Sequence, residues 1–124
     1  MDLIELQTDD GRTAYLPGEA LSGTVSWRLD AAADGVEVRL FWYTRGKGTT
    51  DVQVVKAQHF DSAGMSGQRS FRFVLPEEPY SFSGKLISLV WALEAVVQPG
   101  DRTQRLELVV GPGAREVVLD TVQA

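Results

Sequence analysis

The chain has 124 residues, with 12 basic and 17 acidic side chains, a net charge of −5, one histidine and no cysteine. This length is typical of a single domain, which we expect to span residues 1–124. The lack of cysteine excludes disulfides, thiolate catalysis and cysteine-based zinc sites, and a single histidine excludes multi-histidine metal sites. Because nucleic-acid-binding domains usually carry a basic stripe, the acidic balance argues against a nucleic-acid partner.

Alternating apolar and polar residues predict strands along the whole chain. In chain order the predicted strands are residues 2–7, 21–29, 36–45, 52–60, 69–75, 86–97, 104–110 and 115–119. The segment 86–97 also matches a helical stripe of apolar residues. We favour a strand there, because a lone helix among strands would leave a sheet face uncovered.

Turn-forming residues separate these strands. Pro17-Gly18 suits the two central positions of a type II turn. The other predicted turns lie at Asp34-Gly35, at glycines 46 and 48, and at residues 63–67, 76–79, 99–100 and 111–113. Seven or eight antiparallel strands predict an all-β sandwich or barrel, and the periodicity alone does not choose between them.

The N-terminus and the apolar runs predict a cytoplasmic protein without a transmembrane segment. The first ten residues carry four acids and no base, the opposite of a signal peptide. The longest apolar run, residues 86–97, is too short to cross a bilayer as a helix. Nine arginines against three lysines, with no asparagine, suggest a bacterial origin.

Two stretches resemble the arrestin-like domain family. Tyr15, Pro17, Gly18 and Glu19, followed by Gly23 and Val25, match its Y-x-P-G-E-x-x-x-G-x-V opening. Further along, the sequence matches the family's F-x-L-P, P-x-S-F-x-G and I-x-x-x-W-x-L-x-A-x-V segments, through Phe73, Leu75, Pro76, Pro79, Ser81, Phe82, Gly84, Ile87, Trp91, Leu93, Ala95 and Val97. The resemblance covers roughly half of the chain in the family's order.

This resemblance implies an immunoglobulin-like, arrestin-type antiparallel β-sandwich. It also implies a non-enzymatic adaptor that binds another protein or peptide through strand edges or loops. Arrestins, the arrestin-like subunit of retromer and the bacterial sporulation-control proteins pair two such domains, whereas this chain has the length of one. Mechanisms that act between two domains therefore do not transfer, although two copies could pair as a homodimer.

The candidate partner-binding residues are Arg39, Phe41, Tyr43, Arg45 and Lys47. The first four alternate with apolar residues and are predicted to form an aromatic-cationic stripe on the outer face of one strand. Aromatic residues and arginine are enriched at protein interfaces, although arginine stems also cover aromatic rings on ordinary sheet faces. Residues 45–51 combine two glycines, two cations and two hydroxyls that could bind an anion, or form a plain hairpin turn. Residues 76–82 form a second candidate loop.

No catalytic, cofactor-binding or metal-binding residue is assigned. His59 and Asp61 could form a base and its orienting acid, but no Gly-x-Ser-x-Gly nucleophile motif accompanies them. Trp27, Trp42 and Trp91 fall on apolar faces and are predicted to lie in the core. The alternative function, a small-ligand or carbohydrate-binding sandwich, would need such aromatic residues to be exposed.

Overall fold

The computed structural model describes residues 1–46, 48, 50–100 and 102–119. Its strands are β1 (Leu3–Thr8), β2 (Ala14–Tyr15), β3 (Ala20–Gly46), β4 (Val52–Val74), β5 (Phe82–Ser83), β6 (Ile87–Gln98), β7 (Arg102–Val110) and β8 (Val117–Val118). A short 3-10 turn, Pro112–Ala114, lies between β7 and β8. No helix in the described part of the chain is long and apolar enough to cross a membrane.

The long antiparallel hairpin of β3 and β4 bends over and takes part in both layers of a β-sandwich. In the first layer, residues 20–28 of β3 lie between β1 and the C-terminal arm of β4, residues 66–74. In the second layer, residues 35–46 of β3 lie between β6 and the N-terminal arm of β4, residues 52–61. β7 extends the second layer beside β6. All long pairs are antiparallel, and only the two-residue pairs β2–β7 and β5–β8 are parallel.

The turns predicted at Asp34-Gly35 and at residues 63–67 are wrong, because β3 and β4 continue through both segments. The pairing instead shifts register twice between Arg28 and Gly35. Opposite these shifts, Ser62 and Gly64 adopt positive φ angles of 56° and 66°. Bulges and turns both use small or polar residues that tolerate left-handed backbone, so their sequences look alike. Here the bulges bend the ribbon from one layer into the other.

The predicted strand at 86–97 is confirmed as β6, which lies between β3 and β7 at the centre of the second layer. Trp91 and Trp27 are 0% and 4% exposed, as predicted for core residues. Trp42 is only partly buried and packs against the edge of the core. The same core contains Leu21, Val25, Val36, Val38, Leu40, Phe71, Phe73, Leu75 and Leu93.

The first sequence motif forms the turn that leads into β3. The amide of Glu19 donates to the carbonyl of Leu16 at 3.1 Å, and Gly18 has a φ of 80°, which confirms the predicted type II turn. The guanidinium of Arg12 donates to both carboxylate oxygens of Glu19, at 2.6 and 3.0 Å, and lies 4.6 Å from the centre of the Tyr15 ring. These contacts therefore stabilise the turn between β2 and β3.

The second motif anchors the loop before β5. The Trp91 indole donates to the carbonyl of Pro79 at 2.9 Å. Ser81 is 2% exposed, and its hydroxyl oxygen accepts from the amide of Val110 at 3.0 Å. In both motifs that carry the resemblance, residues thus stabilise turns and loops of the fold.

Candidate functional site

The predicted aromatic-cationic stripe, Arg39, Phe41, Tyr43 and Arg45, lies on β3 in the second layer. Its members alternate with Val38 and Leu40, which are fully buried. The stripe therefore occupies the outer face of the sheet, as the alternation predicted. On β6, its neighbours on this face are Glu94, Ala92 and Val90.

The aromatic members of the stripe are covered by a neighbouring arginine. Phe41 and Tyr43 stack with their ring centres 5.9 Å apart and an angle of 26° between the planes. The guanidinium of Arg105, on β7, lies 5.0 Å from the Phe41 ring centre and 5.1 Å from that of Tyr43. As a result Phe41 is only 4% exposed, while Tyr43 stays partly exposed. A partner would meet Tyr43 and the arginine, with Phe41 beneath them.

Each described cation of the stripe has a carboxylate partner. Arg39 pairs with Glu37 at 2.5 Å, and Arg45 pairs with Glu107 at 3.4 Å. Arg45 also donates to the Tyr43 hydroxyl at 2.8 Å, and this bond, together with the nearby Glu107 carboxylate, raises the pKa of Arg45. The stripe is thus a charge-balanced network rather than a patch of free positive charge.

Sequence reasoning missed the three residues that complete this network: Arg105, Glu94 and Glu107. Arg105 pairs with Glu94 at 3.1 Å, and Glu94 stands between Arg39 and Arg105 across three strands. One signal was present in the sequence. Glu94 is the single charged residue within the apolar run of β6, which marks a position where that strand faces solvent.

Residues 45–51, the predicted anion-binding loop, connect β3 to β4. The amide of Asp51 donates to the Thr44 hydroxyl, and the amide of Thr44 donates to the Asp51 carbonyl, both at 2.9 Å. These bonds close a hairpin, as the plainer interpretation expects. Lys47, the fifth candidate residue, and Thr49 lie outside the described residues, so anion binding stays a prediction.

His59 and Asp61 come together on β4, with 2.9 Å between the imidazole Nε2 and a carboxylate oxygen. Both side chains are exposed at the sheet surface, 41% and 89% respectively. Among the described residues, Asp61 is the one recorded polar partner of the His59 side chain, and no cluster of three potential metal ligands occurs. Acid–base-assisted nucleophilic catalysis also requires a nucleophile within hydrogen-bond reach of the imidazole.

The whole of β4 forms an edge, because its only strand partner among the described residues is β3. An edge strand exposes a row of backbone donors and acceptors that a further strand can use. Both arms of β4 lie on the same side of the sandwich, one above the other. Side chains connect them there: Gln58 accepts from the Arg72 amide at 3.0 Å, and Lys56 donates to the Val74 carbonyl at 3.3 Å.

These side chains cover part of the C-terminal arm of the edge. Since the Arg72 amide is bonded to Gln58, it points away from β3, and so do the backbone groups of alternate residues such as Gln68 and Val74. Arg69 donates to the Gln68 carbonyl at 2.9 Å, and Lys56 occupies the Val74 carbonyl. Three outward groups of this arm, the Arg72 amide and the carbonyls of Gln68 and Val74, are thus hydrogen-bonded within the chain, whereas the backbone groups of Ser70 have no side-chain partner among the described residues.

The N-terminal arm is more open. The bond from Thr44 to Asp51 makes these two residues a hydrogen-bonded pair, so the backbone groups of Val52 and Val54 point away from β3. Gln53 donates to the Val54 carbonyl at 3.2 Å. Within the described residues, no side chain bonds the amides of Val52 and Val54 or the carbonyl of Val52. Val52 and Val54 are also 62% and 45% exposed.

No family model matches this chain, and no curated protein sequence matches it. Among solved structures, Spo0M, a sporulation control protein from Bacillus subtilis, is similar over 90% of this chain, with 17% identity and a TM-score of 0.62. This chain spans about half of that structure, 49% of its length. A β-glucosidase from Listeria innocua, alone or with isofagomine, aligns with 95% of this chain and 17% of its own, at 16% identity and a TM-score of 0.47.

The similarity to Spo0M concerns the fold. It agrees with the arrestin-type sandwich that the two sequence motifs implied, and it resolves the choice between sandwich and barrel. The alignment with the β-glucosidase is too weak to bear on either fold or function. The chain is therefore an all-β sandwich of arrestin type, with an open strand edge beside a charge-balanced aromatic surface.

Proposed function

We propose that this chain is a non-enzymatic protein-interaction domain that binds an extended segment of a partner along the N-terminal arm of β4. The observation that carries the proposal is the open backbone at Val52 and at the Val54 amide, on an edge whose other arm is partly covered by side chains. Proteins normally protect exposed edges against chance pairing. An edge that side chains cover more fully over one arm than over the other fits selective addition of a strand.

The aromatic-cationic stripe lies directly beside this edge and supplies a second contact. Tyr43 is opposite Val52, and Phe41 is opposite Val54, on the same face of the sheet. A strand added to β4 would extend that face, so side chains of the partner would lie within reach of Tyr43 and Arg45. Because the stripe is already ion-paired, it would contribute shape and apolar area more than net charge.

The burial of Trp27 and Trp91, two of the three tryptophans, favours this function over carbohydrate binding. Trp27 and Trp91 are at most 4% exposed, so neither ring offers a face on which a sugar could stack. The role in the name of Spo0M, sporulation control, is compatible with an interaction domain. The proposal does not depend on it, since the similarity to that protein extends only to the fold.

Site-specific photo-crosslinking in cells that carry the natural gene tests the proposal. Benzoylphenylalanine replaces Val52 or Tyr43 in separate variants, and Leu3, which is 51% exposed on the far strand β1, serves as the control position. We expect discrete crosslinked products from positions 52 and 43 and none from position 3. The absence of products from both test positions, or the same products from all three, would overturn the proposal.

A further inference from the structure

We infer that the segment bound along β4 alternates apolar and acidic residues, with its apolar side chains on the outer face and its acidic side chains over the gap between the two arms of β4. This inference rests on the proposed function and specifies the chemistry of the partner. Successive residues of a strand point to opposite faces of a sheet. The two faces of the open edge therefore select the two sets of partner residues separately.

The outer face of the open edge is apolar. Val52 and Val54 expose 62% and 45% of their surfaces on this face, and Tyr43 and Phe41 lie behind them on β3. Side chains on adjacent strands pack when their Cβ atoms are about 4.5–5.5 Å apart. An added strand would bury the two valines best if its outward residues were aliphatic or aromatic.

The opposite face of the edge is cationic. Lys56 is opposite the buried Leu40, and it reaches across the gap between the layers to the carbonyl of Val74. Arg69 is opposite the buried Val25 and lies 5.8 Å from the ring centre of Trp27, so it also faces the gap. Within the described residues, neither cation has a carboxylate within ion-pair distance.

Lys56 and Arg69 are two of six described cations without a carboxylate at ion-pair distance, the others being Arg28, Arg72, Lys85 and Arg115. The chain carries a net charge of −5, and the arginines at positions 12, 39, 45, 102 and 105 all pair with acids. Two exposed cations left without carboxylates at an open strand edge are complementary to acidic side chains of a bound strand. This charge complementarity is expected to select the partner and accelerate its association.

A second copy of this chain fits the edge less well than such a peptide. Two β4 arms paired about a twofold axis at Gln53 would use only Val52 and Val54 of each copy, because the register shift between Leu40 and Phe41 interrupts the strand there. That contact is much smaller than the ~800 Å² per partner of a standard interface. It would also place Lys56 of each copy away from any acid except Asp51. A peptide is not bound by this twofold symmetry, so its acidic residues can lie beside Lys56.

The test uses a defined probe, an acetylated and amidated peptide with the sequence Val-Glu-Val-Glu-Val-Glu between Gly-Ser ends. Two matched probes contain the same residues in blocks, or lysine in place of glutamate. Binding is followed by NMR on the full-length, isotope-labelled protein. We expect the alternating probe to bind at least tenfold more tightly than either matched probe, and to slow hydrogen exchange at the Val52 and Val54 amides.

Backbone pairing is tested separately by two N-methylated probes, each carrying methyl groups on one alternate set of amides. Only one set can face β4, so one methylated probe should lose binding and the other should keep it. Val54→Pro removes an amide that points to the open edge and should weaken binding in the same way. If that variant does not fold, the methylated probes still decide the question.

Charge selection is tested by the double variant Lys56→Glu, Arg69→Glu. The matched control is Arg72→Glu on the same strand, because Arg72 alternates with the buried Phe71 and Phe73 and faces the outer surface of the first layer. The double variant should lose at least tenfold in affinity for the Val-Glu probe and gain affinity for the Val-Lys probe, while the control keeps the wild-type preference.

Failure of this inference is distinguishable from failure of the proposed function. Equal binding of the alternating and block probes, or no binding of either, overturns the alternating apolar and acidic chemistry. If position 52 still crosslinks to a partner in cells, the interaction function remains. A stable dimer in light scattering that is abolished by Val54→Pro would assign the edge to a second copy and overturn the peptide inference.

Discussion

The indole of Trp27 donates a buried hydrogen bond to the carbonyl of Ala63, 3.0 Å away and 36 residues along the chain. The bond joins β3 to β4 where the ribbon bends between the layers. The indole also packs closely against the backbone of Gly67, which pairs with Trp27. A Cβ added to Gly67 would lie 2.6 Å from the indole ring. The bend therefore depends on a specific side chain, not only on the bulges.

Replacing Trp27 with phenylalanine should destabilise the protein. The change keeps an aromatic ring but removes the donor and leaves the Ala63 carbonyl buried without a partner, which costs roughly 1–3 kcal/mol. Trp42→Phe is the matched control, because Trp42 is only partly buried and donates no hydrogen bond within the described residues. Urea unfolding measures both variants. An equal loss of unfolding free energy in the two would show that the bond to Ala63 contributes little.

Gly23→Ala should be costly because β1 and β4 approach β3 closely at this residue. An added Cβ would lie 2.5 Å from the carbonyl oxygen of Gln7 and 2.6 Å from the ring of Phe71. Overpacking of this kind costs about 1–3 kcal/mol. Thr24→Ala, at the next position, is the control and should change the unfolding free energy much less. A Gly23→Ala variant with wild-type stability would contradict the close approach.

The ion pair of Arg12 and Glu19 should make stability depend on acidity. Hydrogen bonds from Arg12 and from the Leu16 amide lower the pKa of Glu19 in the folded protein. Its contribution is therefore fully present above the unfolded glutamate pKa of about 4.3 and is lost as the pH falls through the lower folded pKa. The stability difference between the wild type and Glu19→Gln should shrink as the pH falls below about 4.

Urea unfolding at a series of pH values from neutral to acidic measures this dependence. Glu78→Gln is the control, because Glu78 is exposed and has no ion pair among the described residues. Its stability should follow the wild type across the whole range. A difference between Glu19→Gln and the wild type that stays constant on acidification would show that the ionised carboxylate is not the source of the stabilisation.

Removing Arg105 should uncover Phe41 and weaken the outer face of the second layer. Cation–π contacts at exposed positions contribute about 0.5–1 kcal/mol, and Arg105 lies over both aromatic rings of the stripe. Arg105→Ala should therefore lower the unfolding free energy by about that amount. A double-mutant cycle with Phe41→Leu isolates the contact, and Arg115→Ala is the control. A coupling energy of zero in the cycle would contradict the contact.

Several features of the fold could be predicted from the sequence because they depend on local pattern. Alternation of apolar and polar residues predicted the outer face of β3, the apolar run predicted β6, and Pro17-Gly18 predicted a type II turn. The bend of the hairpin could not be predicted, since residues 30–35 and 61–65 have the composition of turns. Only the pairing of β3 with β4 through these segments distinguishes a bulged ribbon from two chain reversals.

The candidate site likewise has features that the sequence predicted and features that only strand pairing decided. The stripe on β3 was visible as an alternating pattern, but its cover by Arg105 and its ion pairs with Glu37 and Glu107 depend on which strands become neighbours. Phe41 is buried because side chains on neighbouring strands cover it, although its place in the alternating pattern predicts an outward-facing residue. The candidate residues keep their place on the outer face, although the surface they form is less charged than the arginines alone suggested.

By itself, the sequence determined an all-β chain of 124 residues, its strand faces, and the absence of cysteine chemistry and multi-histidine sites. Those properties follow from residue identity and period-two alternation, which act over a few neighbours. The tertiary structure decided that β4 is an edge, that Lys56 and Gln58 cover part of one of its arms, and that Val52 and the Val54 amide stay open. An edge is defined by the strand that is missing beside it, so only the complete pairing of strands can reveal it.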